Sequence, residues 1–213
     1  MDIEHGAGAS PSGAGADATT RRRHPSRKAK GGLLVVLRDD HITGELADQL
    51  FDIMERSYDE HRIGSAFRYV YTREEFDEIL ADERVFKLYA TIDGEPVGML
   101  NVAMDIDAVH WLSADYFRSR HPGRTVYYLQ DTFLDPENPD GRAFRELMRE
   151  GLRIGAEADA VVAFSTSRLL LNRRFVDLIS RFIRSEIGAT LSETDSHTYY
   201  EFESRPEDHI SST

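Results

Sequence analysis

Two apolar runs joined by an Asp-Gly step constrain this chain more than any other feature. Val85 to Ile92 and Pro96 to Met104 are both rich in β-branched and aromatic residues, and Asp93-Gly94-Glu95 lies between them. Asp-Gly tolerates the left-handed backbone that a tight hairpin turn demands, so the segment is expected to form an antiparallel hairpin. A hairpin with two apolar strands cannot stand alone in water, and the rest of the chain must cover it.

The flanking sequence supplies strands and helices in alternation. Leu33 to Leu37 reads as a first strand. A helix over about 44–60 follows, with Asp39, Asp40 or Thr43 as its N-cap and Leu46, Leu50, Ile53, Met54 and Tyr58 on one face. Thr72 stands three residues before Glu75, the spacing of a capping box, ahead of Phe76, Ile79 and Leu80. After the hairpin come a strand over Val126 to Leu134, a helix over about 142–157, a buried strand over Ala160 to Phe164 and an amphipathic helix over about 169–187. Two closing strands are expected around 189–194 and 197–203. This order predicts an α/β fold: a mixed, mostly antiparallel sheet of six to seven strands flanked by helices, with two strand–helix–strand units.

Composition divides the chain into a tail and a body. Residues 1–32 hold a Gly/Ala/Ser-rich stretch and a basic cluster from Arg21 to Lys30, a composition expected to remain disordered. Six of the 26 basic and three of the 38 acidic residues lie there, so the remainder carries 20 and 35, a net charge of −15. The folded domain is expected over 33–203, with a flexible C-terminus over 204–213.

An acidic body repels phosphate, so nucleic acid is expected to engage the basic tail or nothing. With no cysteine in the chain, disulfide scaffolds, thiolate zinc sites and a cysteinyl acyl-enzyme are excluded. The eight histidines show no metal-ligand spacing, so no metal is expected. Neither a secretory signal nor an apolar run of about 18 residues is present, which points to a cytoplasmic protein without a membrane span. No GxSxG, Walker or Rossmann glycine fingerprint occurs.

Three stretches, together with the element order, resemble the GNAT-type N-acyltransferase superfamily over about residues 34–203. Asp93 to Gly98 is similar to that family's second-to-third strand hairpin. Tyr128-Leu129-Gln130-Asp131, with Thr132 to Pro136 after it, is similar to its fourth strand, which in polyamine-type acetyltransferases begins Tyr-Leu-Glu-Asp; Gln130 stands here for the Glu. Asn138-Pro139-Asp140-Gly141-Arg142-Ala143 resembles the loop that cradles a pyrophosphate at a helix N-terminus. It departs from that pattern at Asn138, at Pro139, which has no N–H, and at Asp140, which is negative.

The resemblance implies an enzyme that moves an acyl group from acyl-coenzyme A, acetyl-coenzyme A first, to a small amine by direct attack. It implies Asp131 as proton acceptor with Gln130 orienting the amine, although strand alternation places these two on opposite faces unless a bulge intervenes. Phe133, Leu134, Asn138, Gly141, Arg142, Ala143 and Asn172 are the residues it implies for the coenzyme. In many members a tyrosine on the last helix protonates the leaving thiolate; Phe182 and Ile183 occupy that region here, leaving Tyr127, Tyr128, Tyr199 and Tyr200 as alternatives to plain packing roles.

The segment 105–125 is long for a hairpin connection and contains the single tryptophan. Trp111 to Phe117 reads as a short helix with Ser113 as a cap. Trp111, Tyr128 and Ser165 are taken as acceptor- or donor-arm contacts. The insertion resembles those of acyl-amino-acid and homoserine-lactone synthases, which brings in an acyl carrier protein as an alternative donor. A homodimer and a catalytically degenerate binding or regulatory module are the remaining alternatives.

Overall fold

The computed structural model describes residues 32–59, 70–138, 141–166 and 175–196. The chain runs β1 (Leu34–Asp39), α1 (Gly44–Ser57), α2 (Arg73–Ala81), β2 (Val85–Ile92) and β3 (Glu95–Ala103). A single 3₁₀ turn (Ile106–Ala108), α3 (Ala114–Arg120), β4 (Val126–Leu134), α4 (Gly141–Glu157), β5 (Val161–Phe164) and α5 (Phe175–Ile187) follow. The five strands lie in sequence order in one sheet, antiparallel from β1 to β4 and parallel between β4 and β5.

The hairpin forms as expected, with a turn of two residues. Ile92 pairs with Glu95, and Asp93 (φ 54°) and Gly94 (φ 89°) both occupy the left-handed region. Asp93 also ties down the first strand, accepting the Leu33 N–H through its carboxylate at 2.9 Å. The capping box at α2 is complete: Thr72 N–H donates to Glu75 Oε2 at 2.7 Å, and Glu75 N–H to Thr72 Oγ1 at 3.3 Å. Thr43 is the N-cap of α1, but its side chain makes no capping bond.

Both sheet faces are covered, which is why β2 and β3 read as nearly continuous apolar runs. On one face α4 and α5 pack Leu147, Met148, Leu152, Ile179 and Ile183 against Phe86, Leu88, Leu100, Val102 and Leu129. On the other, α1 and α2 pack Leu50, Met54, Phe76 and Leu80 against Met99 and Phe133. The insertion 105–125 forms a third cluster at one end of that second face, where Ile106 and Val109 meet Val85, Ala103, Val126 and Tyr128.

Three expectations change. Among the described residues the sheet has five strands, not six to seven: 188–196 has no regular structure, so the strand expected at 189–194 is absent, and 197–203 lies outside the described residues. Among the described residues only β4–α4–β5 is a parallel crossover; β1 and β2 are antiparallel neighbours despite the two helices between them. The helix of the insertion starts at Ala114, after Trp111 and Leu112, because Ser113 caps it by accepting the Tyr116 N–H at 3.3 Å. The last helix is described from Phe175, and residues 167–174 lie outside the described set, as do the tail 1–31 and the C-terminus 204–213.

Candidate active site

A row of polar side chains crosses the sheet beneath α1 and α2. Strand pairing puts Asp39 of β1 beside Lys87 of β2, Lys87 beside Asn101 of β3, and Asn101 beside Asp131 of β4. Lys87 is fully buried (0 % exposed). Its ammonium donates to the carbonyls of Asp40 at 2.9 Å and Asp82 at 2.5 Å, and burial lowers its pKa. Asn101 turns its amide N–H₂ to Asp131, reaching Oδ1 at 3.0 Å and Oδ2 at 3.2 Å.

Asp131 reaches this face because of a bulge. Asn101 pairs with Asp131 but Val102 pairs with Leu129, so Gln130 is an extra residue in β4. Before it, Tyr128 belongs to the cluster on the insertion side and Leu129 to the α4 side; after it, Phe133 packs beneath α1 and α2. Regular alternation would have placed Asp131 with Leu129, on the α4 side. The bulge instead brings Tyr128 and Asp131 to one face, on either side of Gln130.

Burial is the main force on the Asp131 carboxyl, which is 9 % exposed and pushed up to about 7. Asn101 and then the Tyr71 hydroxyl oppose the rise by bonding to the charged form. Tyr71 is held well above the ordinary tyrosine value, first by burial and then by the Asp131 charge, so it keeps its proton. Tyr58 from the end of α1 donates to the Thr132 carbonyl at 3.0 Å, securing β4 just past the bulge.

Beside the bulge the sheet opens. β4 runs to Leu134, but its parallel pairing with β5 covers only Val126 to Leu129, ending opposite Phe164. Among the described residues no strand continues along Gln130 to Leu134 on that side. Ser165 follows the last pair, and the Tyr128 hydroxyl donates to its Oγ at 2.8 Å. The Trp111 indole is a further hydrogen-bonding partner of Tyr128, so Trp111, Tyr128 and Ser165 meet at one point. Gln130 Oε1 and Thr166 Oγ1, which flank the opening in sequence, are buried without partners. Such orphaned polar atoms suit a ligand that brings its own polar groups into the opening.

The coenzyme residues implied by resemblance are only partly gathered. The Phe133 side chain is 1 % exposed in the core with Tyr58 and Phe76, so a ligand can meet only its backbone. Ala143 is likewise a core residue, at 2 % exposed. Leu134 packs partly buried against the α4-side core. The Asn138 N–H is taken by the Asp135 carbonyl at 2.9 Å and the Glu137 N–H by the Asp135 carboxylate at 3.2 Å, so neither is free for phosphate. Arg142 borders Leu34 and Val36 of β1. Gly141 opens α4, whose first turn has no acidic side chain and whose initial N–H groups lack intrahelical partners. Pro139, Asp140 and Asn172 lie outside the described residues.

Sequence reasoning missed Asn101, Tyr71, Tyr58 and Lys87 as site residues. Two of them left a signal: Lys87 and Asn101 interrupt the apolar runs of the hairpin, where an unpaired polar group is costly.

Replacing Asn101 with Leu strips the carboxylate of two hydrogen bonds while keeping the branched shape of the side chain. The midpoint for Asp131 ionisation is then expected to rise above 7, read as a pH titration of the carboxyl by NMR; an unchanged or lowered midpoint would show that Asn101 does not hold the charged form.

The sheet opens between the parallel strands β4 and β5, beside the bulge that β4 makes against β3, and with helices on both faces it has a GNAT-like fold, shared with solved acetyltransferase structures. Solved structures with that fold align over most of the chain. An aminoglycoside acetyltransferase from an uncultured soil metagenomic sample matches with a TM-score of 0.52 at 16 % identity, covering 80 % of this chain and 99 % of that one. The ribosomal-protein-alanine N-acetyltransferase of Brucella melitensis biovar Abortus 2308 matches at 0.51 and 12 % identity, covering 79 % and 99 %. A second soil aminoglycoside acetyltransferase, in complex with trehalose, matches at 0.50 and 15 %, covering 80 % and 97 %. No family model and no curated protein matches the sequence.

Proposed function

We propose that the protein is an N-acyltransferase that moves an acyl group from acyl-coenzyme A, acetyl-coenzyme A first, to a small amine. The observation that carries this reading is Asp131: a buried carboxyl with a pKa of about 7, set beside the bulge where β4 loses its β5 partner. An amine in water is almost wholly protonated at neutral pH and must lose a proton to attack. A base whose pKa lies near the working pH takes that proton most effectively.

The amine lone pair then forms the C–N bond, the thioester C–S bond breaks, and the electron pair leaves with sulfur. The thioester would lie along the open side of β4, its carbonyl polarised by backbone N–H groups at the bulge. The pyrophosphate would meet the first turn of α4, and the orphaned Gln130 and Thr166 oxygens would accept from the pantetheine amides. Acidic surroundings favour a cationic acceptor.

Calorimetric titration with acetyl-coenzyme A and a longer acyl-coenzyme A tests the donor. Binding is expected below about 1 mM, followed by thiol release with one or more members of a polyamine and aminoglycoside panel. No binding of either donor at that concentration sinks the reading. Binding without thiol release would favour a module that holds the coenzyme without transferring from it.

A further inference from the structure

The hydrogen bonds around Tyr128 run in one direction and end at the opening. The Trp111 indole N–H and the Ser165 backbone N–H, which can only donate, face the Tyr128 oxygen and favour an acceptor role for it. With its oxygen so engaged, the Tyr128 hydroxyl proton goes to Ser165 Oγ, at 2.8 Å. Ser165 Oγ therefore receives a proton from one side and must turn its own O–H elsewhere. Among the described residues it donates to nothing. Ser165 is the first residue past the last β4–β5 pair, and its side chain stands at an exposed position there. Tyr128, by contrast, is buried and fixed.

We propose that Ser165 is a further catalytic residue, whose outward hydroxyl donates a hydrogen bond to the departing thiolate sulfur, and that Tyr128 is the positioning residue that aims it. This rests on the acyl-coenzyme A reading above and supplies a stabiliser for the leaving group in a chain whose last helix carries Phe182 and Ile183 and no tyrosine. The electron pair of the C–S bond goes to sulfur, the amine proton goes to Asp131, and no proton crosses from Ser165.

Acidities decide that last point. A serine hydroxyl is far less acidic than a thiol, and burial holds the Tyr128 hydroxyl behind it above its usual value of 10, so the proton stays on oxygen and the hydroxyl acts as a dipole, not an acid. Hydrogen bonds feeding into one another strengthen the final donor.

The test needs no acceptor: it uses coenzyme A itself bound to the full chain, with the thiolate followed by ultraviolet absorbance as pH is raised. In the parent protein the bound thiol is expected to titrate roughly one unit below the value of free coenzyme A measured in the same way. Ser165→Ala is expected to return it to the free value and Ser165→Thr to keep the shift. Tyr128→Phe leaves the serine but frees it to turn, and is expected to lose most of the shift. Asp131 is present in all four proteins, so its charge cancels in the comparison.

With an acceptor found, Ser165→Ala is expected to lower kcat about tenfold to a hundredfold with KM nearly unchanged. Coenzyme A that binds with the same thiol titration in the parent and Ser165→Ala overturns this inference alone, as does a Ser165→Ala effect confined to KM. Coenzyme A that does not bind overturns it together with the donor reading.

Discussion

Asp131→Asn is expected to cost the protein its transfer activity and, at the same time, to make the fold more stable at pH 8. The activity loss follows from the removal of a base beside the opening, an effect of about 10²–10⁴ in kcat/KM. In the parent protein kcat/KM is expected to rise with pH through about 7, where Asp131 ionises, and the residual activity of the variant is expected to lack that step. Thiol release measured from pH 5.5 to 8.5 checks both, and a variant that keeps parental activity removes Asp131 from the mechanism.

The stability effect has the opposite sign, for the same reason. In the unfolded chain an aspartate titrates near 3.9, but in the fold Asp131 holds its proton until about 7. Between those values the folded state binds more protons than the unfolded state, so this group makes stability fall as pH rises, with a plateau above about 7. A neutral amide avoids burying that charge. The gain at pH 8 is on the order of 3 kcal/mol, and it should vanish below about pH 3, where the parent carboxyl is neutral in both states. Urea melts of both proteins at the two pH values measure the difference. A variant less stable than the parent at pH 8 would mean that the bonds from Asn101 and Tyr71 outweigh the burial of charge.

Gly98→Val is expected to be the most damaging small substitution near the site. Gly98 lies in β3 between Ala90 and Leu134, with the neighbouring strands close on both sides. A β-carbon there would sit 2.5 Å from Leu134 Cδ2 and 2.6 Å from the Phe133 carbonyl oxygen. The leucine tip can turn aside, but the carbonyl belongs to the β4 backbone and moves only if the two strands part. The expected loss is on the order of 3 kcal/mol, a fall in Tm of roughly 6–12 °C, with acyl-donor binding weakened because β4 carries the site. Gly141→Ala is the contrast: nothing lies within 4 Å of its β-carbon, and the change is expected to be neutral or mildly stabilising. A Gly98→Val protein that melts within 2 °C of the parent would show that the strands yield easily at this point.

Much of the architecture was legible in local sequence because local chemistry decides it. Asp93-Gly94 supplies the two left-handed residues of the hairpin turn, and Thr72 with Glu75 closes a capping box whose partners are three residues apart. The helix faces follow from apolar spacing, and Leu50, Met54, Phe76 and Leu147 are buried as that spacing implies. The strand expected at 189–194 was misjudged because short polar-apolar alternation after 188 has no pairing partner that local pattern can reveal.

The site was legible only in part. Asp131 and Gln130 stand out by their place in a strand, and Trp111, Tyr128 and Ser165 were singled out separately, but nothing local says that these three meet. Asn101 and Lys87 are visible as polar interruptions, yet their partners lie on neighbouring strands and loops. By itself, then, the sequence determined the turns, the caps, the helix faces and the apolar strands, all of which depend on neighbours a few residues away. Only the tertiary structure decided which face Asp131 occupies, because one unpaired residue, Gln130, shifts the pleat and reverses every side chain after it, and that shift exists only in the register between β3 and β4.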